Sequence, residues 1–73
     1  ILVIDDDPDA ADLLARGLSK AGFHVLHAAS GPDGLRLARE ARPAAITLDV
    51  LMPGMDGWTV LSELKSDPAT AAI

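Results

Sequence analysis

Two short, largely aliphatic runs, each ending in an aspartate, constrain the fold of this chain more than any other feature. Residues 1–4 run into Asp5, and residues 44–48 run into Asp49. Continuous apolar runs of this length are typical of strands buried on both faces, as in parallel sheets. Open α/β sheets place their chemistry beyond the carboxyl ends of the strands. We therefore expect one acidic pocket there, suited to a hard cation and to phosphoryl chemistry.

A helix is predicted directly after the first run. Asp7 is a favourable N-cap, and Pro8 is favoured at the first helical position. Gly22 is expected to end this helix. The helical spacing of its apolar residues predicts a buried face made of Ala11, Leu14, Ala15 and Leu18.

The rest of the chain repeats the same alternation. Further strands are predicted over residues 23–28 and 44–49, and further helices begin at the start signals 30–33 and Asp56. A β-α-β-α-β-α order with short connections predicts a parallel sheet with right-handed crossovers and helices on both faces. The expected inner positions of the later helices are Gly34, Leu35, Ala38 and the Ala41–Arg42 edge, then Gly57, Val60, Leu61 and Leu64. We do not expect the apolar third strand to remain a bare edge.

Composition limits the chain to one small α/β domain. It has 73 residues, of which 49% are hydrophobic, with one Phe, one Trp and no Tyr. A net charge of −5 argues against non-specific binding to nucleic acid or to an anionic membrane. The absence of cysteine excludes a disulfide framework and a zinc thiolate site, and a cytoplasmic location is expected. The chain opens on a strand residue and stops after a loop-like segment, so we expect a fragment of a longer protein.

Three segments together resemble a known family. Residues 4–7, Asp49 and residues 52–57 (Met-Pro-Gly-Met-Asp-Gly) resemble the receiver domain of two-component response regulators, which also occurs in hybrid histidine kinases. The resemblance runs over all 73 residues in order and spacing. It implies a flavodoxin-like, doubly wound parallel sheet of five strands in the order 2-1-3-4-5. Residues 1–73 are then a single partial receiver domain that lacks the last two strands.

The resemblance also implies a role for each residue of the pocket. Asp49 matches the phospho-acceptor, which takes a phosphoryl group from the phosphohistidine of a histidine kinase or histidine phosphotransfer protein, and it is also expected to be a Mg²⁺ ligand. Asp6 matches the acid that binds Mg²⁺ directly, and Asp5 the acid that holds the ion largely through water. The backbone carbonyl of Leu51 matches the main-chain metal ligand. The apolar side chain of Leu51 is expected near the phosphoryl site, where it slows attacking water.

Two residues of the family site have no counterpart in this sequence. The family carries a hydroxyl residue at the end of strand four and a lysine at the end of strand five. Thr47, Thr59, Lys20 and Lys65 stand at the wrong positions to replace them. The chain is therefore expected to hold the acceptor and the metal ligands without the half that reads out phosphorylation.

Two other functions fit parts of the pattern. A half-domain that self-associates through strand 44–49 would be structural and never phosphorylated. A hydrolase of the haloacid-dehalogenase type also uses Mg²⁺ and an Asp nucleophile, but its motif fails here because Asp5-x-Asp7 is followed by Pro8-Asp9. His24 and His27 are three residues apart in the predicted strand, so they face opposite sides and are expected to be structural.

Overall fold

Strands and helices alternate along the chain in the predicted order. The structure is a computed structural model that describes residues 1–52 and 54–73. Pro53, which belongs to the motif 52–57, lies outside the described residues. The elements are β1 Leu2–Ile4, α1 Pro8–Lys20, β2 Leu26–Ala28, α2 Gly31–Ala41, β3 Ile46–Leu48 and α3 Gly57–Ser66.

The three strands form an open parallel sheet in the order β2-β1-β3. Leu2 of the central strand lies opposite Leu26 of β2 and Ile46 of β3. This arrangement matches the first three positions of the 2-1-3-4-5 order, so the predicted flavodoxin-like fold class is confirmed.

The core lies on both faces of β1, whose residues are all buried. Leu2 and Ile4 belong to a cluster that includes residues of α2 and α3. Val3 points to the opposite face, on which α1 places the buried Ala11. Gly34 lets α2 approach the sheet, because a Cβ atom there would lie 2.6 Å from Cδ1 of Ile4.

Each helix begins at a capping side chain. The carboxylate of Asp7, the hydroxyl of Ser30 and the carboxylate of Asp56 accept hydrogen bonds from backbone N–H groups of the first turns of α1, α2 and α3. These bonds satisfy donors that have no partner within a helix. The predicted helix starts at residues 7–8, 30–33 and 56 are confirmed.

The predicted second strand is wrong over residues 23–25. The N–H of Phe23 donates to the carbonyl of Leu18 at 3.1 Å, and Gly22 has a φ of 94°. Phe23 therefore completes the C-terminal cap of α1 and does not pair in the sheet. The regular ladder starts at Leu26, whose N–H donates to the carbonyl of Ile1.

Four of the predicted inner positions are exposed. Leu14 is 40% exposed because α1 packs mainly on β1, whereas α2 and α3 also pack on each other. Ala41 and Arg42 are exposed because α2 ends there, with Arg42 in the left-handed conformation. Leu61 is 38% exposed and borders an open groove. The other helix faces follow the predicted spacing.

The strand β3 is an edge of the sheet. Within the described ranges it pairs with β1 alone, and its three residues are half-buried. A groove of about 320 Å³ runs along it, bounded by Leu61 and Lys65 of α3 and by Ile73. The expectation that another segment covers this edge stays a prediction. In the same ranges, each helix is too short or too polar to span a lipid bilayer.

Candidate functional site

Three aspartates meet at the carboxyl edge of the sheet. Asp5, Asp6 and Asp49 each offer a carboxylate oxygen, and these oxygens lie within 4.8 Å of one another. The backbone brings them together because the N–H of Asp49 donates to the carbonyl of Ile4 at 3.0 Å. The ends of β1 and β3 are thereby held level, as the two sequence runs predicted.

The three aspartates of the loop between β1 and α1 differ in their hydrogen bonds and exposure. The carboxylate of Asp5 accepts a hydrogen bond from the N–H of Asp7 at 2.9 Å, and Asp5 is half-buried. Asp6 is exposed. The carboxylate of Asp7 bonds to the N–H of Asp9 at 3.0 Å and caps α1. Asp7 therefore caps the helix, whereas Asp5 and Asp6 belong to the cluster.

Asp49 is partly oriented by its own loop. One carboxylate oxygen, Oδ1, accepts a hydrogen bond from the N–H of Leu51 at 3.0 Å. The side chain of Leu51 is 84% exposed and lies two residues beyond the carboxylate. The bond fixes one oxygen of Asp49 toward the loop.

The cluster concentrates negative charge that no described ion pair neutralises. Two carboxylates about 5 Å apart repel by about 3 kcal/mol at an effective dielectric constant of 20. The ion pairs in the described ranges all involve other acids: Asp12, Asp33, Glu40 and Asp67. Oxygen-only donors at this spacing suit a hard divalent cation such as Mg²⁺, which is bound by few carboxylates together with water and phosphate oxygens.

Asp56 stays outside the cluster, as its predicted role as a helix cap requires. Its carboxylate accepts a hydrogen bond from the N–H of Thr59 at 2.8 Å. The hydrogen bond from the backbone of Thr59 stabilises the charged form and holds the pKa of Asp56 below its ordinary value of 3.8.

Two contacts at the site were not anticipated from the sequence. A Cβ atom on Gly57 would lie 2.6 Å from the carbonyl oxygen of Asp49, so only glycine lets α3 begin this close to the acid. The ring nitrogen Nε2 of His27 lies 2.9 Å from the carbonyl oxygen of Asp5. The position of Gly57 directly after the cap Asp56 was a sequence signal for the close approach of α3 to Asp49. The sequence contains no signal for the contact between His27 and Asp5.

An open parallel sheet with aspartates clustered beyond its first and third strands defines a flavodoxin-like receiver fold. The family model described as response regulator receiver domain matches residues 1–73. The chain belongs to the response regulator receiver domain family. This match confirms the predicted family and rules out the haloacid-dehalogenase alternative.

Curated relatives from bacteria agree with this membership. The chain is 44% identical over 73 residues to the DNA-binding dual master transcriptional regulator RpaA of Synechocystis sp., covering all of the chain and 30% of that protein. It is 40% identical over 73 residues to protein PilH of Pseudomonas aeruginosa, covering all of the chain and 60% of that protein. The chain thus spans less than two thirds of each of these relatives.

Solved structures confirm the fold independently. The N-terminal domain of a response regulator receiver protein from Methanoculleus marisnigri JR1 superposes with a TM-score of 0.96 at 38% identity, over 99% of this chain and 58% of that one. The chemotaxis protein CheY4 of Vibrio cholerae gives a TM-score of 0.91 at 30% identity, over 96% of this chain and 58% of that one.

Proposed function

We propose that this chain is the phospho-accepting part of a receiver in a two-component phosphorelay, with Asp49 as the acceptor. The observation that carries the proposal is the convergence of Asp5, Asp6 and Asp49 within 4.8 Å at the carboxyl edge of a receiver-family sheet. The proposed donor is the phosphohistidine of a histidine kinase or of a histidine phosphotransfer protein, which implies a cytoplasmic location.

Asp49 performs the nucleophilic step in this proposal. Its Oδ1 is held by the N–H of Leu51, so Oδ2 attacks phosphorus in line with the bond to the donor imidazole. A new oxygen–phosphorus bond forms as the phosphorus–nitrogen bond breaks, and the imidazole leaves with the electron pair of that bond. Because transfer needs little covalent chemistry from the protein, fixing the carboxylate at the end of β3 is the main contribution of the chain.

Asp5, Asp6, the acceptor Asp49 and the backbone carbonyl of Leu51 are proposed to hold Mg²⁺. When bound, the ion neutralises charge on the transferring phosphoryl group. Asp5 is held by the N–H of Asp7, whereas Asp6 is exposed. This difference suits the proposed division in which Asp6 binds the ion directly and Asp5 acts through water.

We further propose that residues 1–73 form a single partial receiver domain. The support is coverage, since the chain spans 58% of the receiver structures from Methanoculleus marisnigri and Vibrio cholerae. The hydroxyl residue and the lysine that the family carries on its fourth and fifth strands would then complete the site from outside this sequence.

Phosphorylation by a small-molecule donor tests the proposal. The purified chain is incubated with acetyl phosphate, with and without Mg²⁺, and its intact mass is measured. We expect one added phosphoryl group that requires Mg²⁺ and is absent from Asp49→Asn. Asp33→Asn, which removes an exposed acid in the first turn of α2, is the matched control and should be phosphorylated normally. Equal labelling of both variants would refute Asp49 as the acceptor.

One observation favours a second candidate, self-association through the third strand. Within the described ranges β3 has an open edge, and Ile46 and Leu48 line the adjoining groove. An unpaired strand edge can template pairing with another chain. Sedimentation analysis of the chain and of Ile46→Lys tests this: a dimer that the substitution dissociates supports it, and a monomer in both cases refutes it.

A further inference from the structure

His27 makes a side-chain hydrogen bond from β2 to the loop that carries Asp5 and Asp6. Its Nε2 lies 2.9 Å from the carbonyl oxygen of Asp5. A carbonyl oxygen only accepts, so Nε2 carries the hydrogen and donates. In the sheet register His27 is paired with Val3, two residues before Asp5 on the neighbouring strand. The bond therefore reaches forward along β1 to the point where that strand ends.

The ring of His27 is also placed beside the first turns of α1. It lines a cavity of about 250 Å³ together with Pro8, Ala11 and Ala15. The imidazole thus lies between β2 and α1, next to the β1–α1 loop. A side chain in this location can hold the loop against the sheet.

The position of the Asp5 carbonyl affects the orientation of both acids of that loop. It belongs to the planar peptide unit that joins Asp5 to Asp6, so fixing its oxygen fixes the plane from which both residues extend. The N–H of Asp5 is already bound by the carbonyl of Ala28 at 3.0 Å. The carboxylate of Asp5 accepts from the N–H of Asp7 at 2.9 Å. The bond from His27 secures the remaining polar group of Asp5.

The geometry points to His27 as a positioning residue for the divalent-cation site: its Nε2–H holds the Asp5–Asp6 peptide so that both carboxylates face Asp49. This role rests on the proposed function, because it acts on the acids assigned there to Mg²⁺. It does not make His27 a metal ligand. Groups that hydrogen-bond to metal ligands commonly set the metal affinity by orienting those ligands. Because the bond from His27 is exposed, we expect its effect on affinity to be modest.

Three substitutions at position 27 separate hydrogen bonding from packing. His27→Leu removes the donor and keeps an apolar side chain of similar bulk. His27→Gln keeps a donor nitrogen the same number of bonds from the backbone as Nε2, and His27→Asn keeps an amide that falls one bond short. His24→Leu, which removes the other exposed histidine, is the matched control. Circular dichroism establishes that each variant is folded.

Two readouts are measured on each variant: Mg²⁺ affinity by calorimetry with the metal alone, and the ¹⁵N resonance of the Asp6 amide. We expect His27→Leu and His27→Asn to weaken Mg²⁺ binding about two- to tenfold, the range of one net hydrogen bond. His27→Gln should restore most of the affinity, and His24→Leu should not change it. The Asp6 resonance should move in the Leu variant and return toward its original position in the Gln variant, independently of metal.

The outcomes separate this role from the proposed function. If the unsubstituted chain binds Mg²⁺ and His27→Leu binds it equally well, the positioning role is overturned and the metal site stands. Equal losses in His27→Gln and His27→Leu also overturn it, because packing alone would then explain them. If the unsubstituted chain does not bind Mg²⁺, the proposed metal site fails and the role of His27 fails with it.

Discussion

The amide of Gly57 donates a hydrogen bond to the carbonyl of Val50 at 3.1 Å, and a Cβ atom on Gly57 would lie 2.3 Å from Cα of Val50. The first residue of α3 therefore rests directly on the backbone that follows the proposed acceptor. The atoms nearest to this added Cβ, Cα of Val50 and the carbonyl oxygen of Asp49, belong to the main chain. No side-chain rotation can therefore make room for a larger residue.

Gly57→Ala is expected to lower the free energy of unfolding by about 1–3 kcal/mol, the usual cost of overpacking a tight interior. It should also slow phosphorylation of Asp49, whose carbonyl oxygen lies 2.6 Å from the added carbon. Urea unfolding and acetyl phosphate labelling check the two effects.

Gly17→Ala is the matched control for this substitution. Gly17 lies inside α1, and a Cβ atom there would have no heavy atom within 4 Å. We expect the opposite sign, a gain of about 0.5–1 kcal/mol, because alanine favours a helix interior. If both substitutions stabilise the chain, the close approach of α3 to Val50 is wrong.

Asp56 should make stability depend on pH. Its folded-state pKa is depressed, so the stabilisation from its charge is fully present above the unfolded value, ordinarily 3.8, and is lost as pH falls through the lower folded value. Asp56→Asn keeps a capping oxygen but cannot ionise. We therefore expect a melting temperature below that of the unsubstituted chain near neutral pH, with the difference shrinking in acid. A difference that does not change with pH would contradict the assignment.

Arg42 is the one described non-glycine residue with positive φ, at 44°, and it ends α2. Glycine adopts this left-handed conformation without the steric cost of a Cβ atom, although it gains more freedom in the unfolded chain. We expect Arg42→Gly to raise the free energy of unfolding by about 0.5 kcal/mol, the net of these terms. Arg16→Gly, in the interior of α1, should instead lower it by about 1 kcal/mol. A loss in both variants would contradict the left-handed cap.

Leu51 should affect the lifetime of the phosphorylated state. Leu51 is 84% exposed and follows Asp49 by two residues, and we propose that its apolar side chain lies close to the path of attacking water. We expect Leu51→Asn to accelerate loss of the phosphoryl group several-fold, because an amide can orient water where leucine cannot. Leu13→Asn, at a similarly exposed apolar site on α1, should leave the decay rate unchanged. Decay of the phosphorylated mass over time checks both, and equal rates for the Leu51 variant and the unsubstituted chain would refute the role.

The order of elements and the acidic site were predictable because they depend on local signals. Asp7 and Asp56 are caps read directly from neighbouring residues, and Asp5 and Asp49 end the runs that became parallel strands. Parallel strand ends meet at one edge of a sheet, so their convergence followed from topology.

The errors arose at the C-terminal cap of α1 and where tertiary contacts decide. Phe23 has a strand-like sequence context, yet its N–H is taken by the carbonyl of Leu18 at the end of α1. Leu14 has helical spacing but meets no second helix on its side of the sheet within the described ranges. The bond from His27 to Asp5 joins residues 22 positions apart and leaves no periodic signal in the sequence.

The most direct test is the chemical identity of the phosphorylated residue. The chain is treated with acetyl phosphate and Mg²⁺ and then reduced with borohydride, which converts an aspartyl phosphate into homoserine. Peptide sequencing by mass spectrometry then locates that residue. The proposed function predicts homoserine at position 49 and at no other aspartate. Homoserine at position 5 or 6, or none in a folded chain that has bound Mg²⁺, would contradict it.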